Sequence, residues 1–335
     1  MGERMTLTAR QQVMGFLTGK WIPPVLATLA ELGVADELVD KPLTVDELAD
    51  RVGAQPRALY RLLRAAASVG VFEEEGDGRF ALTDTAAVLR SDVPGSLRSA
   101  AMMFALEPFW TPYAQLRHSA RTGEPAFDRI YGQSIYQRLG EHPDEARTFG
   151  AAAAAFHGQA MGPIASSHDF SAYGVVVDVG GGSGSLLAEV LRTAPGIRGV
   201  LLELPEVLPE ASALLAKEGL ADRVELVAGD FFAEVPPGDA YLIKSCLHNF
   251  ADEQVIEILR VLARAGGPVL IVETMIPPGN GPHYAKFDDI EMLAIAGGAD
   301  RTEGEWAALA RSAGLVPREV VPCDERFSLL HCTRT

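Results

Sequence analysis

Three side chains in the C-terminal half of the chain have the chemistry to move a proton. His248 lies in the segment IKSCLHNFADEQ, Glu273 in LIVETMIP and Asp300 in GGADRTEGEW. An imidazole with an ordinary pKa of about 6.5 is mostly neutral at pH 7 and can accept a proton. If both carboxylates reach it, they fix its tautomer and stabilise its charged form. A lone histidine is more often structural, so the prediction that His248 is a general base depends on these two partners.

A glycine-rich turn in VVVDVGGGSGSL indicates a place where a ligand approaches the backbone. Asp178 stands near the end of the apolar run, and Gly180, Gly182 and Gly184 follow at every second position. The dinucleotide-binding fingerprint would need glycine or alanine where Ser185 stands. The turn therefore departs from that fingerprint, and a purely structural glycine turn is the alternative interpretation.

Two further acids follow the next two predicted strands. Glu203, in LLELP, comes about twenty residues after the glycine turn, where its oxygens can accept from both hydroxyls of a ribose. Asp230, in AGDFF, is suited to accept from an adenine amino group beside the ring of Phe231. NAD enzymes share the first arrangement, and a simple Asp cap would explain the second. Because open α/β sheets bind ligands at the carboxyl ends of their strands, the three sites together predict an adenosine ligand.

The elements that must position these residues alternate between strand and helix from Ser171 onward, which is typical of parallel βαβ units. Arg318–Val321 and Phe327–Cys332 predict a closing hairpin at one end of the sheet. The predicted strands are residues 175–179, 199–203, 224–227, 240–245 and 268–273, and the predicted helices are residues 186–192, 207–215, 253–265 and 303–313.

The N-terminal region predicts a winged helix-turn-helix. Thr44 and Glu47 form a capping-box pattern that begins one helix, and a second helix starts at Pro56. Gly76–Gly78 supplies the turn of the hairpin that follows. The apolar stripe of the second helix consists of Leu59, Leu62, Leu63 and Ala66.

A basic face on the second helix raises the question of DNA binding, because Arg57, Arg61 and Arg64 share it. The chain as a whole has 29 Lys and Arg against 45 Asp and Glu, a net charge of -16. An acidic wing beside the helix would be repelled by phosphates. We therefore predict no nucleic-acid partner and interpret the arginines as a solvated or subunit-facing stripe. The acids of the wing are Glu73, Glu74, Glu75 and Asp77.

Cysteine use and hydropathy favour a cytoplasmic protein without a membrane partner. The odd set Cys246, Cys323 and Cys332 suits a reducing compartment. No apolar run approaches about 18 residues, and no secretory pattern opens the chain. Met1–Thr6 fits the loose N-myristoylation pattern, which chance often produces, and we predict no lipid anchor. The histidines and acids lack the spacing of a ligand cluster, so no metal is expected.

Aromatic residues separated by Pro and Gly breaks characterise the region between residues 95 and 170, which predicts linked helices around apolar space. Most of these rings are expected in the core. The patterns divide the chain into a winged-helix domain (residues 1–95), a helical linker (96–170) and a domain of alternating strands and helices (171–335).

Nearly the whole chain resembles the S-adenosylmethionine-dependent small-molecule O-methyltransferases of the plant caffeate and bacterial polyketide type. The glycine turn resembles motif I of methyltransferases that use this cofactor, in which the backbone passes beside its methionyl and ribose portions. The resemblance implies that residues 171–335 are a Rossmann-like catalytic domain that binds S-adenosylmethionine and that the helical winged-helix domain, residues 1–95, forms a homodimer. It also implies that the helical linker, residues 96–170, is a cap over the substrate. The other matching segments are SARTGEPAFDRIYG, LLELPEV, AGDFF, LHNFADEQ and GGADRTEGEW.

The same resemblance implies residue roles. His248 would be the base, with Glu273 and Asp300 beside it. Trp110, Asn249 and Met292 are expected to contact the acceptor, a planar phenolic or polyketide-like small molecule. The residues expected at the cofactor are Asp178, Gly180, Gly182, Glu203, Asp230, Phe231 and Lys244.

Three departures from the family pattern stand near the predicted site. The family usually has His-Asp-Trp where this chain has His248, Asn249 and Phe250, usually Asp in place of Glu203 and usually Glu in place of Asp300. The last two keep the charge and move it by one methylene. Asn249 and Phe250 remove a charge and an indole donor, so we expect a change in adenine packing or acceptor placement.

Two other functions remain open from the sequence. Proteins of this family type include members that use bound S-adenosylmethionine to support hydroxylation, decarboxylation or pericyclic chemistry without moving a methyl group. A winged-helix ligand sensor is the second alternative. It would bind DNA and would not need His248.

Overall fold

The computed structural model of the protein describes residues 8–157 and 160–334, and the pattern at Met1–Thr6 lies outside the described residues. The β-strands are β1 (Leu43–Thr44), β2 (Phe72–Glu74), β3 (Arg79–Leu82), β4 (Val175–Val179), β5 (Arg198–Glu203), β6 (Val224–Ala228), β7 (Ala240–Lys244), β8 (Val269–Thr274), β9 (Leu315–Pro322) and β10 (Phe327–Arg334). The α-helices are α1 (Ala9–Thr18), α2 (Ile22–Glu31), α3 (Val34–Glu37), α4 (Val45–Val52), α5 (Pro56–Ala67), α6 (Asp84–Ala87), α7 (Arg98–Ala105), α8 (Glu107–Trp110), α9 (Leu116–Thr122), α10 (Ala126–Tyr131), α11 (Ile135–Glu141), α12 (Pro143–His157), α13 (Met161–Ser166), α14 (Ser185–Thr193), α15 (Leu208–Lys217), α16 (Asp252–Ala265), α17 (Ala285–Glu291) and α18 (Glu303–Ser312).

These elements form two units. One contains the described residues up to Thr111 together with Tyr136–His157, and the other contains Pro112–Ile135 and the described residues from 160 onward. The three-part division at residues 95 and 170 stays a prediction.

The first unit contains the predicted winged helix. The capping box is present, since Thr44 Oγ1 accepts from the Glu47 amide at 3.3 Å and Glu47 Oε2 accepts from the Thr44 amide at 2.8 Å. The strands pair antiparallel in the order β1-β3-β2. The predicted stripe of α5 faces the core, where Leu59, Leu63 and Ala66 are buried.

An apolar surface lies at the N-terminal end of the first unit. Phe16 is 83% exposed, and Leu17 and Trp21 are exposed beside it. By length and composition alone, the helical stretch Ala9–Glu31 could cross a membrane, with 17% of its most apolar window buried. A 3-10 turn, Gly19–Trp21, separates its two helices.

The aromatic region is helical, as predicted, and several of its rings pack on one another. Phe109 stacks on Phe149 with centroids 5.7 Å apart, and Phe104 meets Phe156 edge to face at 5.6 Å. Trp110, in contrast, is an exposed ring of the first unit.

The second unit is built on a seven-stranded sheet of order β6-β5-β4-β7-β8-β10-β9. β4, β5, β6, β7 and β8 run parallel, and β10 pairs antiparallel with both β8 and β9. The alternation in the sequence and the closing hairpin at the edge of the sheet are thus confirmed. Helix α17 and the π-helix Met292–Ala296, between β8 and α18, were not predicted.

Alternate side chains of the buried strands fill two apolar layers. Val176 and Leu242 pack with α13, α14 and α15 on one face of the sheet. Val177 and Ile243 pack with α16 and α18 on the other face. Because parallel strands covered on both faces are held from both sides, their carboxyl ends form a rigid edge on which side chains keep fixed positions.

Candidate active site

The glycine turn follows β4, where the sheet order changes direction and α/β folds bind ligands. Gly180 (φ 65°), Gly182 (φ 58°) and Gly184 (φ 75°) all have left-handed backbone, which favours glycine. A Cβ atom on Gly182 would meet nothing within 4 Å, so open space lies beside the backbone there. On Gly181 it would lie 2.4 Å from the carboxylate of Asp178. The turn is therefore closed toward the sheet and open on its outer side.

Glu203, at the end of β5, joins this turn. Its Oε2 accepts from the Gly182 amide at 2.9 Å, and its Oε1 accepts from the Leu204 amide at 2.8 Å. These bonds fix the carboxylate beside the open side of the glycine turn. The sequence prediction that Glu203 lies near the turn is consistent with this geometry.

Asp178 lies under the turn and is 1% exposed. Neither of its oxygens accepts a hydrogen bond of normal geometry from the described residues. Burial raises the pKa of this carboxyl to about 7, and Lys244 opposes that rise while Glu203 adds to it. A buried acid with this environment is costly unless a donor reaches it.

Lys244, at the end of β7, is mostly buried near Asp178. Burial lowers the pKa of its ammonium to about 8, although Glu273 and Asp178 favour the charged form. Its Nζ donates to Ser245 Oγ at 3.1 Å and lies 4.8 Å from the centre of the Phe327 ring.

An aromatic cluster follows β6. Asp230 is exposed, and its Oδ1 accepts from the Phe232 amide at 2.8 Å. Phe250 meets the ring of Phe231 at 6.0 Å and that of Phe232 at 5.3 Å, edge to face in both cases. Phe231 also lies beside the glycine turn, because a Cβ atom added to Gly180 would be 3.4 Å from Phe231 Cε1. Phe250, which replaces the tryptophan usual in the family type, is therefore part of the wall beside Asp230.

His248 and the two predicted carboxylates come together. The Nδ1 atom of His248 lies 2.9 Å from Glu273 Oε2 and 3.9 Å from Asp300 Oδ1. The His248 side chain is 15% exposed, while both carboxylates are fully buried. Burial favours the neutral imidazole, but Glu273 and then Asp300 outweigh it, so the pKa of His248 is raised.

Glu273 is held in place by the turn that carries His248. Its Oε1 accepts from the amides of Cys246 at 3.1 Å and Leu247 at 2.9 Å. One carboxylate thus fixes both the backbone of the turn and the ring on it. Asn249 donates from Nδ2 to the Cys246 carbonyl at 3.1 Å, which closes the same turn.

The loop before α18 packs tightly on the His248 turn. The Ala299 amide donates to the His248 carbonyl at 2.9 Å. A Cβ on Gly298 would lie 2.0 Å from that carbonyl oxygen, a distance that no side chain tolerates. Asp300 follows in the same loop, and its amide donates to Asp289 Oδ1 at 3.1 Å. Gly298 is a site residue that the sequence analysis missed, because only the backbone approach marks it.

Two more acids near His248 were also missed. Asp288 and Glu291 lie on α17, in KFDDIEMLAIAGG. The charge of Asp288 favours a higher pKa of His248, and the charge of His248 favours a lower pKa of Glu291. The sequence signal for this pair was their spacing of three residues, which puts both on one face of a helix. The sequence analysis named only Met292 in this segment. Met292 begins the π-helix, a feature frequent at functional sites, which packs against the His248 turn.

The comparisons with known proteins identify the family. Residues 113–316 match the O-methyltransferase domain, and residues 14–92 match the O-methyltransferase dimerisation domain. The chain is similar to phenazine O-methyltransferase PhzM of Lysobacter antibioticus, with 38% identity over 95% of this chain and 94% of that protein. It is similar to mitomycin biosynthesis 6-O-methyltransferase of Streptomyces lavendulae, with 39% identity over 96% and 93%.

A solved structure agrees with these relatives. The O-methyltransferase NcsB1 from neocarzinostatin biosynthesis, in complex with S-adenosylmethionine and 2-hydroxy-5-methyl naphthoic acid, is 32% identical with a TM-score of 0.81, covering 93% of this chain and 96% of that chain. The chain therefore belongs to the O-methyltransferase family and is an S-adenosylmethionine-dependent enzyme. The predicted fold, enzyme class and cofactor are confirmed.

Proposed function

We propose that the chain methylates a hydroxyl of a phenolic or polyketide-like small molecule, with His248 as the general base. The observation that carries this proposal is the 2.9 Å contact between His248 Nδ1 and Glu273 at the carboxyl edge that also holds the glycine turn. A carboxylate can only accept, so the proton sits on Nδ1 and leaves Nε2 as the basic nitrogen.

Seven residues would hold the cofactor. The open side of Gly182 and the oxygens of Glu203 beside it fit a ligand that brings hydroxyl donors, and Asp178 lies buried beneath the same turn. When bound, S-adenosylmethionine supplies an activated methyl group on a sulfonium. The residues proposed at the cofactor are Asp178, Gly180, Gly182, Glu203, Asp230, Phe231 and Lys244.

The work left to the protein is to orient the hydroxyl and take its proton. A free phenol has a pKa of about 10. The raised pKa of His248 makes the difference between the pKa values of base and phenol smaller. Glu273 and Asp300 stabilise the imidazolium that forms, as the carboxylate of a catalytic triad does. Positioning of the acceptor supplies the rest of the rate enhancement. Trp110, Asn249 and Met292 remain the acceptor contacts proposed from the sequence.

The test is mass spectrometry of the enzyme with S-adenosylmethionine and a panel of phenols. We expect an acceptor that gains one methyl group and an equal amount of S-adenosylhomocysteine. An acceptor that changes mass without S-adenosylhomocysteine would favour the non-methylating alternative. The absence of both products across the panel would contradict the proposal.

We also infer a homodimer in the cytoplasm with no nucleic-acid or membrane partner. The dimerisation-domain match covers the exposed apolar residues Phe16, Leu17 and Trp21, and a second copy of the chain would bury them. We expect light scattering to give twice the chain mass of 35.8 kDa. A monomer, or partition of the protein into vesicles, would contradict this inference.

A further inference from the structure

Helix α17 adds carboxyl groups near His248 beyond the two that proton transfer requires. Asp288 and Glu291 lie three residues apart on α17, so their side chains share one face of the helix. Asp288 favours the charged form of His248, and His248 in turn favours the charged form of Glu291. With Glu273 and Asp300, four carboxyl groups therefore interact electrostatically with one imidazole.

Two of these acids, Glu291 and Asp300, show a cost of burial. Burial, with Asp288 adding to it, raises the pKa of Glu291 to about 7. Burial also raises the pKa of Asp300, and Asp288 adds to this rise through its charge and a side-chain hydrogen bond, while His248 opposes it. Asp300 is 4% exposed, and its oxygens accept no hydrogen bond of normal geometry from the described residues. Uncompensated acids of this kind need a cationic partner or a proton.

The nearby cations contact groups other than the carboxylates of Asp288 and Glu291. Arg301 binds Asp252 at 2.7 Å, and Lys244 lies against Ser245. The guanidinium of Arg326 lies 4.6 Å from the centre of the Tyr284 ring. Within the described ranges, neither Asp288 nor Glu291 forms an ion pair with a lysine or arginine.

Two tyrosines complete the surroundings. Tyr284 donates to Asp288 Oδ1 at 3.0 Å, and the Tyr113 hydroxyl lies 3.5 Å from Glu291 Oε2. Burial, together with the neighbouring acids, raises the pKa of both phenols, so they stay neutral donors. They orient the carboxyl groups through hydrogen bonds without adding a positive charge.

We propose that the acceptor carries a basic, protonated nitrogen substituent, and that Glu291 and Asp288 bind it while His248 faces the hydroxyl. This inference rests on the proposed function, because it assumes that the acceptor occupies the space before His248. An ammonium between the two carboxylates forms charge-assisted hydrogen bonds and removes the repulsion among the acids. A neutral phenol leaves that repulsion in place, and an anionic phenol increases it.

The test uses three para-substituted phenols that differ mainly in charge: tyramine (cationic), 4-ethylphenol (neutral) and 3-(4-hydroxyphenyl)propionate (anionic). Calorimetry with the protein saturated with S-adenosylhomocysteine measures binding without turnover, and S-adenosylhomocysteine formation gives kcat/KM. We expect wild type to favour tyramine over 4-ethylphenol by about 10- to 100-fold in both measurements, and to bind the propionate worst.

Variants assign the preference to the carboxylate. Glu291→Gln should reduce the ratio of tyramine to 4-ethylphenol to about 1, while Glu291→Asp should keep part of it. Glu257→Gln, the same change at an exposed position of α16, should leave the ratio as in wild type. Melting curves and cofactor binding show that each variant is folded.

Equal affinity for tyramine and 4-ethylphenol, no measurable binding of tyramine, or an unchanged ratio in Glu291→Gln would each overturn the inference. These outcomes are separate from failure of the proposed function. A neutral phenol methylated as well as tyramine leaves the methyltransferase proposal standing. Binding of tyramine that depends on Glu291, without any S-adenosylhomocysteine formed, contradicts the proposed function alone.

Discussion

The glycine turn and the acceptor side of His248 lie in the same unit but are built differently. The turn is a continuous segment after β4, and its backbone conformation and its bond to Glu203 arise within one βαβ unit. The acceptor side combines the turn after β7, the end of β8, helix α17 and the loop before α18. The geometry of the glycine turn is therefore local. The surroundings of His248 depend on four separate elements, so a single residue on one of them can alter the positions of the others.

The largest effect should come from the proposed base. If His248 accepts the proton, we expect His248→Ala to lower kcat about 10²- to 10⁴-fold. The affinity for S-adenosylmethionine should stay near that of wild type, because His248 forms no part of the glycine turn. Calorimetry and initial rates measure the two quantities. His142→Ala, at an exposed position of the first unit, is the control. Near-normal turnover in His248→Ala would show that the two regions do not divide the work in this way.

Gly298→Ala is expected to damage the acceptor side without touching the cofactor side. The new Cβ would overlap the His248 carbonyl and displace the turn that carries the ring. We expect kcat to fall about 10- to 100-fold, since small misplacements of a catalytic group are costly. Gly281→Ala, where a Cβ meets nothing, should behave as wild type. If Gly298→Ala lowered the affinity for the cofactor by the same factor as kcat, the prediction that it affects only the surroundings of His248 would be wrong.

The effect of Glu273 and Asp300 on the pKa of His248 predicts how kcat/KM depends on pH. His248 must be neutral to accept a proton, so kcat/KM should rise with pH through its folded-state pKa. Because the carboxylates raise that pKa above 6.5, the rising limb should lie above pH 6.5. Glu273→Gln should move the limb toward lower pH, as measured by a pH-rate profile. If the rising limb stayed at the same pH in Glu273→Gln, the group that titrates in the profile would not be His248.

The smallest expected effect is on stability. The pKa of Glu291 is about 7 in the folded protein against 4.5 as its ordinary value. The folded state therefore binds more protons than the unfolded state between these values, and its stability falls as pH rises through them. Glu291→Gln lacks this penalty and should be more stable by about 1–3 kcal/mol at pH 8, with no gain at pH 4. Thermal or denaturant unfolding at both pH values measures this. A destabilised variant at pH 8 would mean that Glu291 already has a compensating partner.

The residues that meet at the glycine turn could be predicted from the sequence more fully than those that meet around His248. Asp178, Gly180, Gly182 and Glu203 follow one another at spacings set by a single strand-turn-helix-strand unit, so their meeting could be foreseen. His248 and its two carboxylates could be paired only because strand ends of a parallel sheet meet at one edge.

What the sequence did not predict depends on tertiary approach. Gly298 is needed because a loop passes within contact distance of the His248 carbonyl, which no local pattern encodes. Glu291 and Tyr113 lie 178 residues apart in the sequence, and only the packed helices bring them together. The π-helix after α17 likewise has no simple periodicity in its apolar residues.

The most direct measurement is a crystal structure of the enzyme with S-adenosylhomocysteine and a phenolic acceptor. The account predicts the adenosine portion over the glycine turn and the acceptor oxygen about 2.6–3.2 Å from His248 Nε2. An acceptor hydroxyl that lies out of reach of His248, or a cofactor bound away from Gly182 and Glu203, would contradict it.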